Sequence, residues 1–172
     1  MSKDDHNGAS TFILINQENL CACSEASCMW IFSVKNNIAA SIKKYYNRAM
    51  RLDFLIDGNN FDMAGEASSS VKRTLTKLGV APPLVKRSAI SMYEAEINAF
   101  IHGGGGSAHV EISDEKIEMV VEDSGDGIPD LDLAMQEGWS TASDEVRMLG
   151  FGAGMGLPNM KRNADEFDIR SE

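Results

Sequence analysis

The sequence predicts an α+β fold: a two-layer α/β sandwich in which an antiparallel (mixed) sheet carries its helices on one face. Three observations lead there. Apolar residues alternate in three short stretches, Leu52/Phe54/Ile56, Ala108/Val110/Ile112 and Ile117/Met119/Val121, the period of half-buried strands. Two longer stretches, from Asp62 to Leu78 and from Leu84 to His102, repeat their apolar residues at helical spacing instead. The order strand, helix, helix, hairpin, helices segregates the helices to one side of the sheet.

Each element has its own signals. The first of these strands ends at Asp57-Gly58-Asn59-Asn60, a turn-forming cluster. Ala64, Ala67, Val71, Leu75 and Leu78 give the first helix one apolar face, and Gly79 stops it. Pro82-Pro83 opens the second helix, which Gly103 to Gly106 break. Ser113-Asp114-Glu115 turns the hairpin. A short helix from Pro129 to Glu137, an irregular loop, a glycine run, a helix from Leu157 to Asp165 and a strand start at Glu166 to Arg170 complete the set.

The 172 residues suit one domain with a real core, and the hydrophobic fraction of 43% and charged fraction of 24% are ordinary for a globular chain. No apolar run approaches a membrane span, and Met-Ser-Lys-Asp-Asp-His is no secretory leader, so a soluble cytoplasmic protein is expected. A net charge of −10 argues against nucleic acid, whose phosphates such a surface repels. It leaves room for a nucleotide met by backbone N–H groups and a metal ion.

Residues 1–50 read differently from the rest. They hold five Lys/Arg against four Asp/Glu, so the acidity belongs to the remainder. They carry the apolar pieces Phe12–Ile15 and Met29–Val34 and a candidate helix from Asn37 to Met50, but no motif. Cys21, Cys23 and Cys28 could suggest a metal site with His6, yet no second ligand pair accompanies them, and reduced thiols are expected.

The chemistry gathers in three places. On the second helix, Ile90, Tyr93, Ile97 and Ile101 form the expected buried stripe, and Glu94, Asn98 and His102 run beside it at i, i+4, i+8. Glu96 points to the far side. An Asn oxygen suits Mg²⁺, and a carboxylate one turn earlier can deprotonate a nucleophile, although a lone Glu-x₃-Asn is ordinarily a solvated face. Next, Asp123-x-Gly125-x-Gly127 ends a strand: the carboxylate can accept from the exocyclic amine of adenine, and glycines let the backbone approach the base. Finally, Gly150-Phe151-Gly152-Ala153-Gly154-Met155-Gly156-Leu157-Pro158 leads into a helix and presents N–H groups suited to polyphosphate, though alone it reads equally as a linker. Met155 breaks the dinucleotide fingerprint, and no P-loop or H-R-D signature occurs.

Taken in order, Glu94-x₃-Asn98, Asp123-x-Gly125-x-Gly127 and Gly152-x-Gly154-x-Gly156-Leu157 resemble the N, G1 and G2 boxes of the histidine-kinase-like ATPase superfamily, whose nucleotide site is the Bergerat type. Glu94 to Gly103, ending in His-Gly, and the stretch Asp130–Gln136 with Trp139-Ser140-Thr141 look most like bacterial anti-sigma-factor serine/threonine protein kinases. The resemblance implies ATP and Mg²⁺ as ligands. It implies Asn98 on the metal, Glu94 as catalytic base, Asp123 on adenine and Gly125 and Gly127 shaping the base pocket. Gly152, Gly154, Gly156 and Leu157 would surround the phosphates, under a lid from Gly138 to Gly150. His102 is expected to cap the helix rather than touch nucleotide, and Lys161 and Arg162 to be solvated.

Implied partners are a protein substrate of anti-anti-sigma type and/or a sigma factor, with a homodimer allowed. The alternatives are an ATP-governed partner-switching module with little or no kinase activity, or a histidine-kinase catalytic domain. The family continues past a segment like Asp165–Glu172 with another strand and a Gly-x-Gly-Thr near adenine. Residues 51–172 are therefore expected to form the ATP-binding domain without that last strand, with an incomplete base pocket. Residues 1–50 are expected to be a poorly ordered or partly helical extension.

Overall fold

A computed structural model describes residues 28–35, 49–148 and 150–171. Five strands form one sheet in the order β2-β3-β4-β1-β5: β1 (Cys28–Lys35), β2 (Met50–Asp57), β3 (Gly105–Ile112), β4 (Lys116–Asp123) and β5 (Glu166–Ser171). Every pairing between them is antiparallel. The helices are α1 (Glu66–Lys77), α2 (Pro82–Ile101), the short α3 (Leu131–Ala134) and α4 (Asp144–Met148), and α5 (Gly156–Asn163). The two-layer α+β architecture expected from the alternation is present. Ala108, Val110, Ile112, Ile117, Met119 and Val121 all point into the core, where Val71, Leu75, Met92 and Met160 meet them.

The structure departs from the sequence reading at Cys28–Lys35, expected to lie in an extension outside the domain. That segment is β1, hydrogen-bonded on one side to β4 and on the other to β5, in registers Trp30↔Val121 and Trp30↔Ile169. Met29–Val34 is a near-continuous apolar run because an interior strand is covered on both faces, and Ile31 and Ser33 are buried along with Trp30, Phe32 and Val34. Its far end is clamped to the turn into β5. The Asp165 N–H donates to the Ser33 carbonyl at 2.9 Å and the Lys35 N–H to Asp165 Oδ2 at 2.7 Å. Lys35 Nζ meets Glu166 at 2.7 Å. The candidate piece Phe12–Ile15 and most of the candidate helix Asn37–Met50 lie outside the described residues; Met50 itself opens β2.

The buried face of α2 also differs from the expectation. Val85, Ser88, Met92, Ala95 and Ala99 pack on the sheet, whereas Tyr93 is 40% exposed and Ile90 and Ile101 are half-buried. Small residues let the helix lie close over the strands. The larger Tyr93, Ile97 and Ile101 line a cavity instead.

Glu96, on the side away from Glu94, is 2% exposed. Its carboxylate accepts from the N–H groups of Gly65 (3.1 Å), Ala67 (3.0 Å) and Ser68 (2.9 Å). These are the otherwise unpaired amides that open α1, so Glu96 does for α1 what a side-chain cap would do. The single helix expected from Asp62 is in fact a 3-10 turn at Phe61–Met63, then Gly65 at φ 91°, then α1. Replacing Glu96 by Ala leaves three donors, two of them buried, without an acceptor and is expected to cost about 3 kcal/mol, read by chemical denaturation. Phe32→Ala, which empties a fully buried site in β1, should lower stability by about 3–5 kcal/mol; a loss below about 1 kcal/mol would mean that β1 is not part of the cooperative unit.

Candidate functional site

A cavity of about 440 Å³ opens between α2, the end of β4, the glycine run and the start of α5. Its lining includes every residue singled out from the three motifs: Glu94, Asn98, Asp123, Gly125, Gly127, Gly152, Gly154, Gly156 and Leu157. Residues up to 63 positions apart in sequence thus share one wall, because β4 delivers Asp123 beside the C-terminal end of α2 while α5 packs along that helix.

Asp123, the last residue of β4, is 4% exposed and accepts from the Gly125 N–H at 2.9 Å. Burial pushes its carboxyl above the ordinary range, partly opposed by that N–H. Gly103 makes this placement possible: a Cβ there would fall 2.3 Å from Asp123 Cβ and 2.6 Å from Cγ. His102 also lines the cavity, and burial lowers its pKa, so the imidazole is neutral near pH 7. Its backbone N–H closes the last turn of α2 on the Asn98 carbonyl at 2.8 Å.

At the other end, Gly156 packs against Asn98 so closely that a Cβ would lie 3.1 Å from the carboxamide oxygen. The N-terminus of α5 has no side-chain cap. Its amides and dipole therefore present a place for an anion next to a hard oxygen donor, a combination that suits a phosphate with a divalent cation. Glu94 Oε1 accepts from Asn159 Nδ2 at 2.7 Å, which engages one of the two carboxylate oxygens. Asn159 in turn accepts from Arg162 at 3.4 Å, and Arg162 pairs with Glu137. Asn159 carried no signal in the sequence, since only the packing of α5 on α2 brings it to Glu94. Lys161 and Arg162 are exposed and stay off the cavity wall, as expected.

The segment between Gly138 and Gly150 covers one side, contributing Trp139, Ser140 and Thr141. The Gly138 N–H donates to the Gly154 carbonyl at 2.9 Å. Arg147 donates to the carbonyls of Ala142 and Ser140, each at 3.2 Å. Phe151 rests edge-on against Phe61, which does the same to Phe100, both with centroids 5.6 Å apart. These contacts give the glycine run a defined path. Cys28 is a buried free thiol, while Cys21, Cys23 and His6 lie outside the described residues. Among the described residues no group of three His, Cys, Asp or Glu side chains is placed to hold a metal, and no helix is long and apolar enough to cross a membrane.

A strand-end carboxylate, a glycine-bordered helix N-terminus and an Asn-bearing helix around one cavity define a nucleotide-site class, and the comparisons agree. Residues 91–171 match the family of histidine kinase-, DNA gyrase B- and HSP90-like ATPases, and the chain belongs to it. It is 31% identical over 110 residues to the serine/threonine-protein kinase RsbT of Bacillus subtilis (strain 168), covering 61% of this chain and 77% of that protein. It is 31% identical over 134 residues to the anti-sigma F factor of Thermoanaerobacter sp. (strain X514), covering 73% and 86%. The anti-sigma F factor of Clostridium kluyveri (strain NBRC 12016) is 26% identical over 132 residues, covering 74% and 87%.

Because burial raises the Asp123 pKa, the folded state takes up this proton before the unfolded chain does as pH falls. Ionised Asp123 therefore costs stability at neutral pH, and that cost is relieved as pH drops through the raised folded pKa. Asp123→Asn is expected to hold or raise the thermal midpoint at pH 7 while weakening adenine-nucleotide binding about tenfold or more. Calorimetry beside a thermal melt reads both. In the wild type, nucleotide affinity should start to fall at a pH above the ordinary carboxylate range.

Proposed function

We propose that this chain binds ATP with Mg²⁺ in the cavity and transfers the γ-phosphoryl group to a serine or threonine of a protein partner, as an anti-sigma-factor-type regulator. The observation that carries the transfer step is Glu94, held by Asn159 on the cavity wall one helical turn from Asn98. The names of the similar proteins, a serine/threonine-protein kinase and anti-sigma F factors, support the same reading. They also support a partner of anti-anti-sigma type and/or a sigma factor.

On this reading each residue has its own part. Asp123 accepts from the adenine amine, with Gly125 and Gly127 shaping the base end. Gly152, Gly154 and Gly156 and the N-terminus of α5, with Leu157 beneath, receive the phosphates through backbone N–H groups. Asn98 would hold the magnesium ion, which when bound neutralises phosphate charge. Glu94 accepts the hydroxyl proton as the partner's oxygen forms its bond to γ-phosphorus and ADP departs with the electrons of the broken bond. Asn159 positions Glu94 by donating to one of its carboxylate oxygens.

Labelled ATP offered with candidate partner proteins tests this. Asn98→Ala should lose Mg-dependent binding, whereas Glu94→Ala should keep nucleotide affinity within a few-fold and lose transfer by about 100-fold or more. Asn159→Ala should lower kcat with little change in KM. Wild-type binding without transfer to any partner would replace the kinase with a partner-switching module, and full transfer by Glu94→Ala would remove the assigned base.

A further inference from the structure

The match to the ATPase family begins at residue 91, so it leaves out the 3-10 turn before α1, and Phe61 with it. Phe61 is 45% exposed, yet its ring is engaged on two sides. It stands edge-on to Phe100 of α2 and edge-on to Phe151 of the glycine run, with both interplanar angles at 72°. One ring thus bridges the central helix and the run.

The run needs such a bridge. Gly150, Gly152 and Gly154 stand at φ 89°, 72° and 70°, a region that glycine enters and leaves freely, so the backbone does not fix its own path. Its backbone bonds tie it to the segment 138–148. The Gly150 N–H donates to the Arg147 carbonyl at 3.0 Å, the Phe151 N–H to the Val146 carbonyl at 3.2 Å, and the Gly154 carbonyl accepts from Gly138. Those bonds join two stretches of loop and leave both to be placed against α2. At one end of the run Gly156 is placed by its close approach to Asn98. At the other end Phe151, half-buried, meets Phe61. Phe61 is itself firmly held. The Ala64 N–H closes the turn on its carbonyl at 3.1 Å, and Gly65, next in the chain, is bound by Glu96.

We infer that Phe61 is a positioning residue of the nucleotide site: it seats Phe151, and through it the amides of the glycine run, against α2. The ligand in this statement rests on the nucleotide reading above, whereas the seating is a property of the chain without ligand. An edge-on aromatic pair biases a seated over an unseated arrangement by about twofold to tenfold. The effect belongs to the phosphate end. Asp123, Gly125 and Gly127 are carried by β4 and the loop after it, so the base end keeps its shape when Phe61 is removed.

Hydrogen exchange of the full chain reads the seating, and calorimetry with Mg²⁺ and ATP, inorganic tripolyphosphate or adenosine reads its consequence. Both are applied to wild type, Phe61→Ala, Phe61→Tyr, Phe151→Ala and the double alanine variant. In Phe61→Ala the amides of residues 150–154 should exchange about threefold to tenfold faster. Those of Ala67 and Ser68, bound by Glu96, should keep their rate, which sets the effect apart from a general loosening of the fold. Affinity for ATP and tripolyphosphate should fall by about threefold or more while adenosine affinity holds, and Phe61→Tyr, which keeps the ring, should match wild type. In the Phe151→Ala background, Phe61→Ala should add nothing. Unchanged exchange at 150–154, unchanged tripolyphosphate affinity, or an equal loss for adenosine would overturn the role of Phe61. A wild type that binds neither ATP nor tripolyphosphate would instead remove the nucleotide reading, and exchange would still decide whether Phe61 seats the run.

Discussion

The buried carboxylate of Glu96 sets the rotation of the central helix, and the arrangement of the site depends on that rotation. Residues two positions apart on a helix lie about 200° apart, so driving Glu96 into the amides of Gly65, Ala67 and Ser68 turns Glu94 and Asn98 the other way, into the cavity. Backbone N–H groups at a helix start are fixed in direction and cannot follow a moving acceptor. The bond set therefore also ties α1 to α2. Small residues on the sheet side of α2 complete the constraint by allowing only close packing over the strands.

If the proposed phosphate site is right, a chain with a net charge of −10 receives its anion through neutral groups. Lys161 and Arg162 face solvent at the end of α5. The groups that border that end of the cavity are backbone amides at the N-terminus of α5, together with the Asn98 carboxamide. Neutral dipoles fixed by the fold would bind a polyphosphate without creating a cationic surface that attracts nucleic acid.

Much of the site was legible because its parts are local. A glycine at a close approach, an Asp at a strand end and an Asn one turn after a Glu are patterns of neighbouring residues, and all of them reach one cavity. The same reasoning misjudged Tyr93 and Ile101 of the expected stripe, whereas Ile97 is buried as expected. Periodicity identifies an apolar face but does not say whether that face meets the sheet or a cavity wall. Asn159 was invisible for another reason: its partner Glu94 is 65 positions away, and only the packing of two helices joins them.

What the sequence determined by itself was the α+β class, the alternation that makes β2, β3 and β4, and the three nucleotide-box motifs in order. Each rests on short-range periodicity or steric need, which a chain carries whatever its partners. Tertiary structure alone decided that Met29–Val34 belongs to the domain. An apolar run of that length is compatible with any buried segment, and its place between β4 and β5 is a matter of long-range pairing. Tertiary structure also decided that Cys28 and Trp30 line the cavity with Asp123, which they reach only through that pairing.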